Sequence, residues 1–188
     1  MNRFVFACIA VFAVYAGQAQ AGVLLDGKTV GYQYLIPTTS DLYYQPADFV
    51  VGPGVELPAL TNNTSDYATV DFSDTNIYVD FYGAAGFTSA TFNGFRLYDS
   101  LNTIAPIINV TVNPVTNLAG FSAANVSFDA DNVYVNFQGL FFDASTVVSL
   151  DLTPGAVPAP STMVTWAGVM AVVAVVGVVR RRQAIACA

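Results

Sequence analysis

Residues 68–83 read ATVDFSDTNIYVDFYG, and residues 124–139 read ANVSFDADNVYVNFQG. The two segments align without a gap, and eight of their sixteen positions are identical. In each segment apolar and polar residues alternate on both sides of a four-residue polar turn, which is the pattern of an antiparallel hairpin with one buried face. Two such hairpins must bury their apolar faces, and stacking them in opposed sheets of a sandwich is the simplest arrangement. Two ordinary hairpins that converged on similar sequences are the alternative.

Each hairpin also has an outward face. Tyr78 and Tyr134 occupy equivalent positions of the two hairpins, opposite the Val and Phe side chains. Such rings are suited to stacking on sugars, which makes the two tyrosines candidate ligand contacts. Strand propensity and cross-strand packing explain them without a ligand, and this is the preferred interpretation.

The rest of the domain also has the composition of short β-strands joined by turns. Short runs rich in Val, Ile, Tyr, Phe and Thr are separated by clusters of Gly, Pro, Asn, Asp and Ser, and no charged stretch has helical spacing. We therefore expect an all-β domain, an antiparallel β-sandwich with jelly-roll-like connectivity. Gly52-Pro53-Gly54 marks a turn, and Asn93-Gly94 has the signature of a type I′ hairpin. Strands are predicted near residues 23–25, 31–36, 49–51, 55–57, 68–72, 77–82, 88–92, 95–98, 107–112, 124–128, 133–137 and 147–152.

The N-terminus is typical of a secretory signal peptide over residues 1–21. Arg3 precedes an apolar stretch at residues 4–16, and a small, polar segment ends in Ala19-Gln20-Ala21. Cleavage is expected after Ala21, with Ala19 and Ala21 as the small residues of the cleavage site. The sequence therefore predicts export.

The C-terminal end predicts a transmembrane helix. Residues 163–179 contain no charge, and 17 residues in a helix are about 26 Å long, close to the thickness of a bilayer core. Arg180, Arg181 and Arg182 follow at once, and such a cluster stays on the cytoplasmic side. We expect an ectodomain at residues 22–152, a Pro-rich linker at 153–162, the helix at 163–179 and a basic cytoplasmic tail at 180–188.

A short motif precedes the predicted helix. It consists of Val157, Pro158, Ala159, Pro160, Ser161 and Thr162. This motif, the apolar span and the arginine cluster together resemble the PEP-CTERM sorting signal of bacterial surface proteins, with Ala159 where the family's name-giving pattern has Glu. The resemblance implies that an exosortase, a membrane-embedded transpeptidase resembling cysteine proteases, reads the tail and cuts near the prolines. It also implies a place at the cell surface or in the extracellular matrix, with exopolysaccharide as a candidate partner. A plain single-pass anchor is the alternative.

The composition of the domain excludes several functions. The chain has no His, and its two cysteines, Cys8 and Cys187, lie outside residues 22–156. Ser-His-Asp and Cys-His nucleophile systems and His-based metal sites therefore cannot form, nor can a disulfide within the domain. All thirteen acidic residues lie in the domain with only Lys28 and Arg96 opposing them, a net charge of −11. Such a surface does not suit nucleic acid. We expect a non-enzymatic protein.

Two oxygen-rich turns are candidate calcium sites. One contains Asp129 and Asp131, and the other contains Asp71 and Asp74. Neither matches a calcium-loop spacing, so plain hairpin turns without a cofactor are preferred and Ca²⁺ is the alternative. Arg96 is expected to pair with an aspartate. The sequence thus predicts an exported surface or matrix component of unknown ligand, with a carbohydrate- or calcium-dependent binding module as the alternative function.

Overall fold

The fold consists of short antiparallel strands and a single turn of 3-10 helix, η1 (Ala123–Asn125). It is seen in a computed structural model that describes residues 20–21, 24–44, 48–61 and 66–157. The strands are β1 (Gln20–Ala21), β2 (Thr29–Leu35), β3 (Leu42–Tyr44), β4 (Phe49–Val50), β5 (Leu57–Thr61), β6 (Asp66–Ser73), β7 (Asn76–Phe81), β8 (Ala85–Gly86), β9 (Gly94–Tyr98), β10 (Ile107–Val112), β11 (Val126–Phe128), β12 (Asn132–Asn136), β13 (Phe141–Phe142), β14 (Val147–Pro154) and β15 (Ala156–Val157).

Most strands belong to two sheets. One has five strands in the order β10-β14-β7-β6-β5, and the other has the order β11-β12-β9-β2-β3 with β4 also paired to β2. Two small ladders, β1 with β15 and β8 with β13, complete the described part. The pairings within the two main sheets are antiparallel, which confirms the all-β, sandwich-like prediction.

The repeated segments form equivalent hairpins in different sheets. The first is β6–β7 in the five-stranded sheet, and the second is β11–β12 in the six-stranded sheet. Their registers correspond, because Phe72 opposes Ile77 in the first hairpin and Phe128 opposes Val133 in the second. The prediction of two similar hairpins in opposed sheets is therefore confirmed.

The core lies between the inward faces of the two hairpins. The Phe81 and Phe137 rings meet edge to face at a centroid distance of 5.9 Å, and Phe87 stacks on Phe137 at 4.9 Å. Phe128 is an exception, since 39% of its surface remains exposed. It lies on β11, an edge strand of its sheet, where a neighbouring strand covers only one side. The buried side chains of the two hairpins are Ala68, Val70, Phe72, Ile77, Val79, Phe81, Val133, Val135 and Phe137.

Two strand predictions were wrong and two were displaced: β5 begins only at the last residue of the predicted strand 55–57, and η1 occupies the start of the predicted strand 124–128. Leu24 and Leu25 are buried in a bend, where the Asp74 carboxylate accepts hydrogen bonds from both of their N–H groups. Residues 88–92 also form no strand. Burial and β-propensity made both segments resemble strands, but side-chain hydrogen bonds and loop contacts hold them in place.

The prediction of a type I′ hairpin at Asn93-Gly94 is also wrong. Gly94 is the first residue of β9, and its φ is not among the positive values found in the described residues. A Cβ added at Gly94 would overlap the carbonyl oxygen of Val135 on the neighbouring strand. Close approach of two backbones, and not a turn, requires glycine at this position.

The folded unit reaches slightly further than predicted. It spans Ala21–Val157, and β14 and β15 extend beyond residue 152, where the linker was expected to begin. Most of the predicted signal peptide, residues 158–162 of the sorting motif, the helix at 163–179 and Arg180, Arg181 and Arg182 lie outside the described residues. Within the described ranges, no helix has the length and apolar character needed to cross a bilayer.

We expect Gly94→Ala to destabilise the protein by about 1–3 kcal/mol or more, because the added methyl group can be accommodated only if β9 and β12 move apart. The matched control is Gly52→Ala, where an added Cβ meets no atom within 4 Å and φ is not in the positive range. Chemical denaturation of both variants measures the difference. Equal stability of the two variants would show that β9 and β12 do not approach as described.

Candidate functional site

A cavity of about 370 Å³ lies where the end of β2, the strand β3 and the β8–β13 ladder meet. Half of the described lining residues are aromatic: Tyr34, Tyr43, Tyr67, Phe87 and Phe142. Asn93, Thr88, Ile36, Ala85 and Gly86 complete the lining.

Alternation along β2 places one of these rings. Val30, Tyr32 and Tyr34 point inward from β2, whereas Gln33 lies on the outer face and is only partly buried. Tyr34 is the last inward residue of the strand, so its ring reaches the cavity while Tyr32 stays in the core. Tyr43 meets the Tyr34 ring at 6.1 Å in an edge geometry and is 49% exposed. Tyr43 therefore forms the outer rim.

Asn93 is fixed from several sides. Its side chain is almost fully buried at 4% exposure, and its Oδ1 accepts a 2.6 Å hydrogen bond from the Tyr34 hydroxyl. Its Nδ2 donates to the Thr88 carbonyl oxygen at 2.9 Å, and its backbone N–H donates to Asn136 Oδ1 at 3.0 Å. A buried amide held in this way has one orientation.

The β8–β13 ladder supplies the opposite wall. Phe87 N–H donates to the Leu140 carbonyl at 2.9 Å, and Gly139 N–H donates to the Phe87 carbonyl at 3.1 Å, so the ladder continues past β8. The Phe141 ring covers Gly86 so closely that a Cβ there would overlap it. On the inner side, Phe142 packs on Phe87 at 5.3 Å.

Three buried tyrosines in and beneath the cavity, Tyr32, Tyr34 and Tyr67, have raised pKa values. Burial raises the pKa of Tyr34 above its ordinary value, and the neighbouring Tyr67 raises it further. Burial likewise raises the pKa of Tyr67, although the Tyr34 hydroxyl beside it offsets part of the effect. Burial also raises the pKa of Tyr32, whose hydroxyl has no hydrogen-bond partner among the described residues. Among the residues that the structure describes, no acidic or basic side chain lines the cavity.

The two predicted ligand tyrosines do not form one surface. Tyr78 is exposed on the outer face of the five-stranded sheet, and Tyr134 lies on the outer face of the six-stranded sheet. They face opposite directions because their hairpins pack core to core. Tyr134 is also engaged by protein groups, since the Arg96 guanidinium lies 5.7 Å from its ring centroid and the Phe92 ring meets it at 6.4 Å.

Among the described residues, the expected pairing of Arg96 with an aspartate is indirect and runs through Asn132 to Asp129. Its Nε and Nη2 donate to Asn132 Oδ1 at 2.8 and 2.6 Å, and its Nη1 donates to Gln33 Oε1 at 3.3 Å. Asn132 Nδ2 in turn donates to Asp129 Oδ1 at 2.7 Å. The guanidinium also lies over the Tyr98 ring, 4.6 Å from its centroid. The side-chain amide of Asn132 thus links Arg96 to the Asp129 carboxylate.

The first candidate calcium turn is organised by its own backbone. Asp129 Oδ1 accepts from the Asp131 N–H at 2.9 Å as well as from Asn132. Partial burial alone would raise the pKa of Asp129, but these hydrogen bonds and the charge of Arg96 lower it below its ordinary value. Asp131 is exposed.

In the second candidate turn, Asp74 accepts from Leu24 N–H at 2.6 Å and from Leu25 N–H at 3.2 Å. Burial raises the pKa of Asp71, and the nearby Glu56 carboxylate raises it further. Within the part of the chain that the structure describes, no three His, Cys, Asp or Glu side chains cluster as metal ligands.

Sequence reasoning missed the cavity. The residues that line it come from distant segments of the chain. Asn93 precedes a glycine, so the sequence pattern predicts a turn residue there. The alternation along β2 marked Tyr34 as inward, but no periodicity shows which inward residue lines a cavity.

No protein-family model, no curated protein and no solved structure matches this chain.

We expect Asp74→Ala to lower the free energy of unfolding by about 1–3 kcal/mol, because two partly buried N–H groups lose a charged acceptor. Asp131→Ala removes an exposed carboxylate from the equivalent turn of the other hairpin and should change stability by about 0.5 kcal/mol or less. Both are measured by denaturation with Ca²⁺ and with EDTA. A large Ca²⁺-dependent stabilisation that either substitution abolishes would show that the turn holds the cation.

Alkaline pH should unfold the protein. Below the ordinary tyrosine pKa of 10.0, Tyr32, Tyr34 and Tyr67 are neutral in both states and add no pH dependence. Above that pH the unfolded chain releases protons that the folded chain retains, so the free energy of unfolding falls. Phenolate absorbance and β-type circular dichroism should therefore show a set of tyrosines that ionises only with unfolding. Complete ionisation of all tyrosines with the β signal intact would contradict this expectation.

Proposed function

We propose that this protein is an exported, non-enzymatic component of the bacterial cell surface or extracellular matrix. A signal peptide at residues 1–21 directs its export, and a PEP-CTERM-like tail delivers it to an exosortase-type enzyme. The observation that carries the proposal is the order of parts in the sequence: the motif at residues 157–162, the uncharged span at 163–179, and Arg180, Arg181 and Arg182. Exopolysaccharide is the proposed surrounding matrix.

The position of the folded unit supports this proposal. The unit ends at Val157, the first residue of the motif. A cut within residues 158–162 would leave both main sheets intact, because their last strand, β14, ends at Pro154. Processing at the motif would therefore release or transfer a domain with both main sheets, and leader cleavage after Ala21 would remove only β1 and its ladder with β15.

The chemistry of the domain supports a non-enzymatic role outside the cell. Residues 22–156 contain neither His nor Cys, so the domain has no thiol to oxidise and no imidazole for acid–base catalysis. Its stability depends on burial of apolar side chains, with Tyr32, Phe72, Phe81, Phe95 and Phe137 among the largest that are fully buried. Its net charge of −11 favours solubility and keeps it apart from anionic lipid surfaces.

The jelly-roll-like connectivity remains part of the proposal. Within the described residues the chain passes from one main sheet to the other five times: from β4 to β5, from β7 through β8 to β9, from β9 to β10, from β10 to β11, and from β12 through β13 to β14. In jelly-roll folds the chain likewise passes repeatedly between two sheets.

Processing is tested by measuring the intact mass of the protein recovered from a bacterium that produces it. We expect a mature N-terminus at Gly22 and a C-terminus close to the proline motif. Replacing Pro158 and Pro160 by Ala should leave the tail uncut, because the exosortase would lose its motif. Pro53→Ala, in a turn of the domain, is the matched control and should be processed normally.

The outcomes separate the alternatives. A C-terminus at Ala188 on a protein that has lost its leader would identify a plain single-pass anchor. Full-length protein in the cytosol with its leader intact would overturn export itself.

A further inference from the structure

We propose that the cavity between β2, β3 and the β8–β13 ladder binds one neutral sugar ring of pyranose size. This inference goes beyond the proposed route of export and does not rest on it, because it depends only on the residues that line the cavity.

The size and the walls of the cavity suit a single ring. A volume of about 370 Å³ is at the small end of the range for ligand pockets. Phe87, Phe142 and Tyr67 give apolar ring surfaces, and a pyranose presents C–H groups on its faces and hydroxyls around its rim. Aromatic walls can therefore pack on the sugar faces while polar groups meet its edge.

Asn93 provides the polar contact. A side-chain amide has two N–H donors and an oxygen with two lone pairs. One N–H is bonded to the Thr88 carbonyl and one lone pair to the Tyr34 hydroxyl. One donor and one acceptor therefore have no partner among the described residues, on a side chain that is 96% buried and lines the cavity. A sugar hydroxyl can donate to one of these groups and accept from the other.

Charge and polarity disfavour charged ligands and purely apolar ligands. A charged ligand would lose its hydration, since no described residue of the wall carries an opposite charge, and the negative domain also repels anions. A purely apolar ligand would leave the Asn93 groups unpaired, which carries the penalty of a buried unsatisfied polar group. A neutral ring with hydroxyls avoids both penalties.

The binding test uses the full chain, purified in a detergent without a sugar headgroup so that the detergent does not compete. The probes are methyl glucoside, methyl galactoside and methyl mannoside, followed by ligand-observed NMR. Methyl glucuronide tests the effect of charge, and cyclohexanol tests a ring without the hydroxyl rim. We expect at least one neutral glycoside to bind with a dissociation constant on the order of 1 mM, at least tenfold more tightly than either comparator.

Two matched pairs of variants locate the site. Tyr43→Ala removes the exposed rim ring and should weaken glycoside binding about tenfold, which corresponds to about 1.4 kcal/mol. Its control, Tyr78→Ala, removes an exposed ring from the other sheet and should leave glycoside binding unchanged. Tyr34→Phe removes the hydroxyl bonded to Asn93 and should also weaken binding. Tyr32→Phe removes the buried hydroxyl without a partner and should not.

Each result decides the proposal. Absence of binding by all three glycosides would overturn it, as would cyclohexanol binding as tightly as the sugars. Unchanged binding in Tyr43→Ala and Tyr34→Phe would place any sugar elsewhere. The melting temperature of each variant shows that it is folded. Because binding is measured on purified protein, its failure would leave the proposed processing untouched, and failed processing would leave the binding result untouched.

Discussion

The mutual burial of two similar hairpins is the constraint on which the rest of the structure depends. Phe81 and Phe137 occupy equivalent positions of β7 and the segment after β12, and their rings meet across the core. Because the hairpins face each other, every residue that alternates with this apolar row must point outward. That geometry separates Tyr78 from Tyr134 and gives the domain two outer faces with different neighbours.

The same packing leaves one region incompletely filled. The Phe87 and Phe142 rings extend the aromatic core under the β8–β13 ladder, and Tyr34 and Tyr67 close it from the main sheets. The space opens to solvent beside Tyr43, which is 49% exposed, and it reaches inward to the buried Asn93 amide. Asn93 gives this space its polar chemistry, because it is a buried amide whose hydrogen-bonding capacity is not fully used by the described residues.

Sequence periodicity predicted the parts of the fold that repeat a local rule. The β6–β7 and β11–β12 hairpins follow from alternation, and the strand over residues 107–112 follows from its content of β-branched residues. Errors arose where a distant contact decides the conformation. The Asn93-Gly94 pattern predicts a turn, but the close approach of Val135 on β12 is what requires glycine there. Leu24 lies in a bend because Asp74, fifty residues away, accepts a hydrogen bond from its N–H. The cavity was missed for the same reason, since its walls meet only after the sheets have packed.

The acidic composition has a structural explanation that composition alone did not give. Carboxylates hold loop backbones in place: Asp74 binds Leu24 and Leu25, Glu56 accepts from Gly52 and Phe72, and Asp99 accepts from Leu101 and Ile104. Hydrogen bonds from Ser145 and Thr146 lower the pKa of Asp143, so this turn keeps its charge at neutral pH. In a domain without a disulfide, such bonds fix connections that a covalent link could otherwise restrain. Because these carboxylates lie outside the cavity lining, the domain combines a strongly negative surface with a neutral cavity.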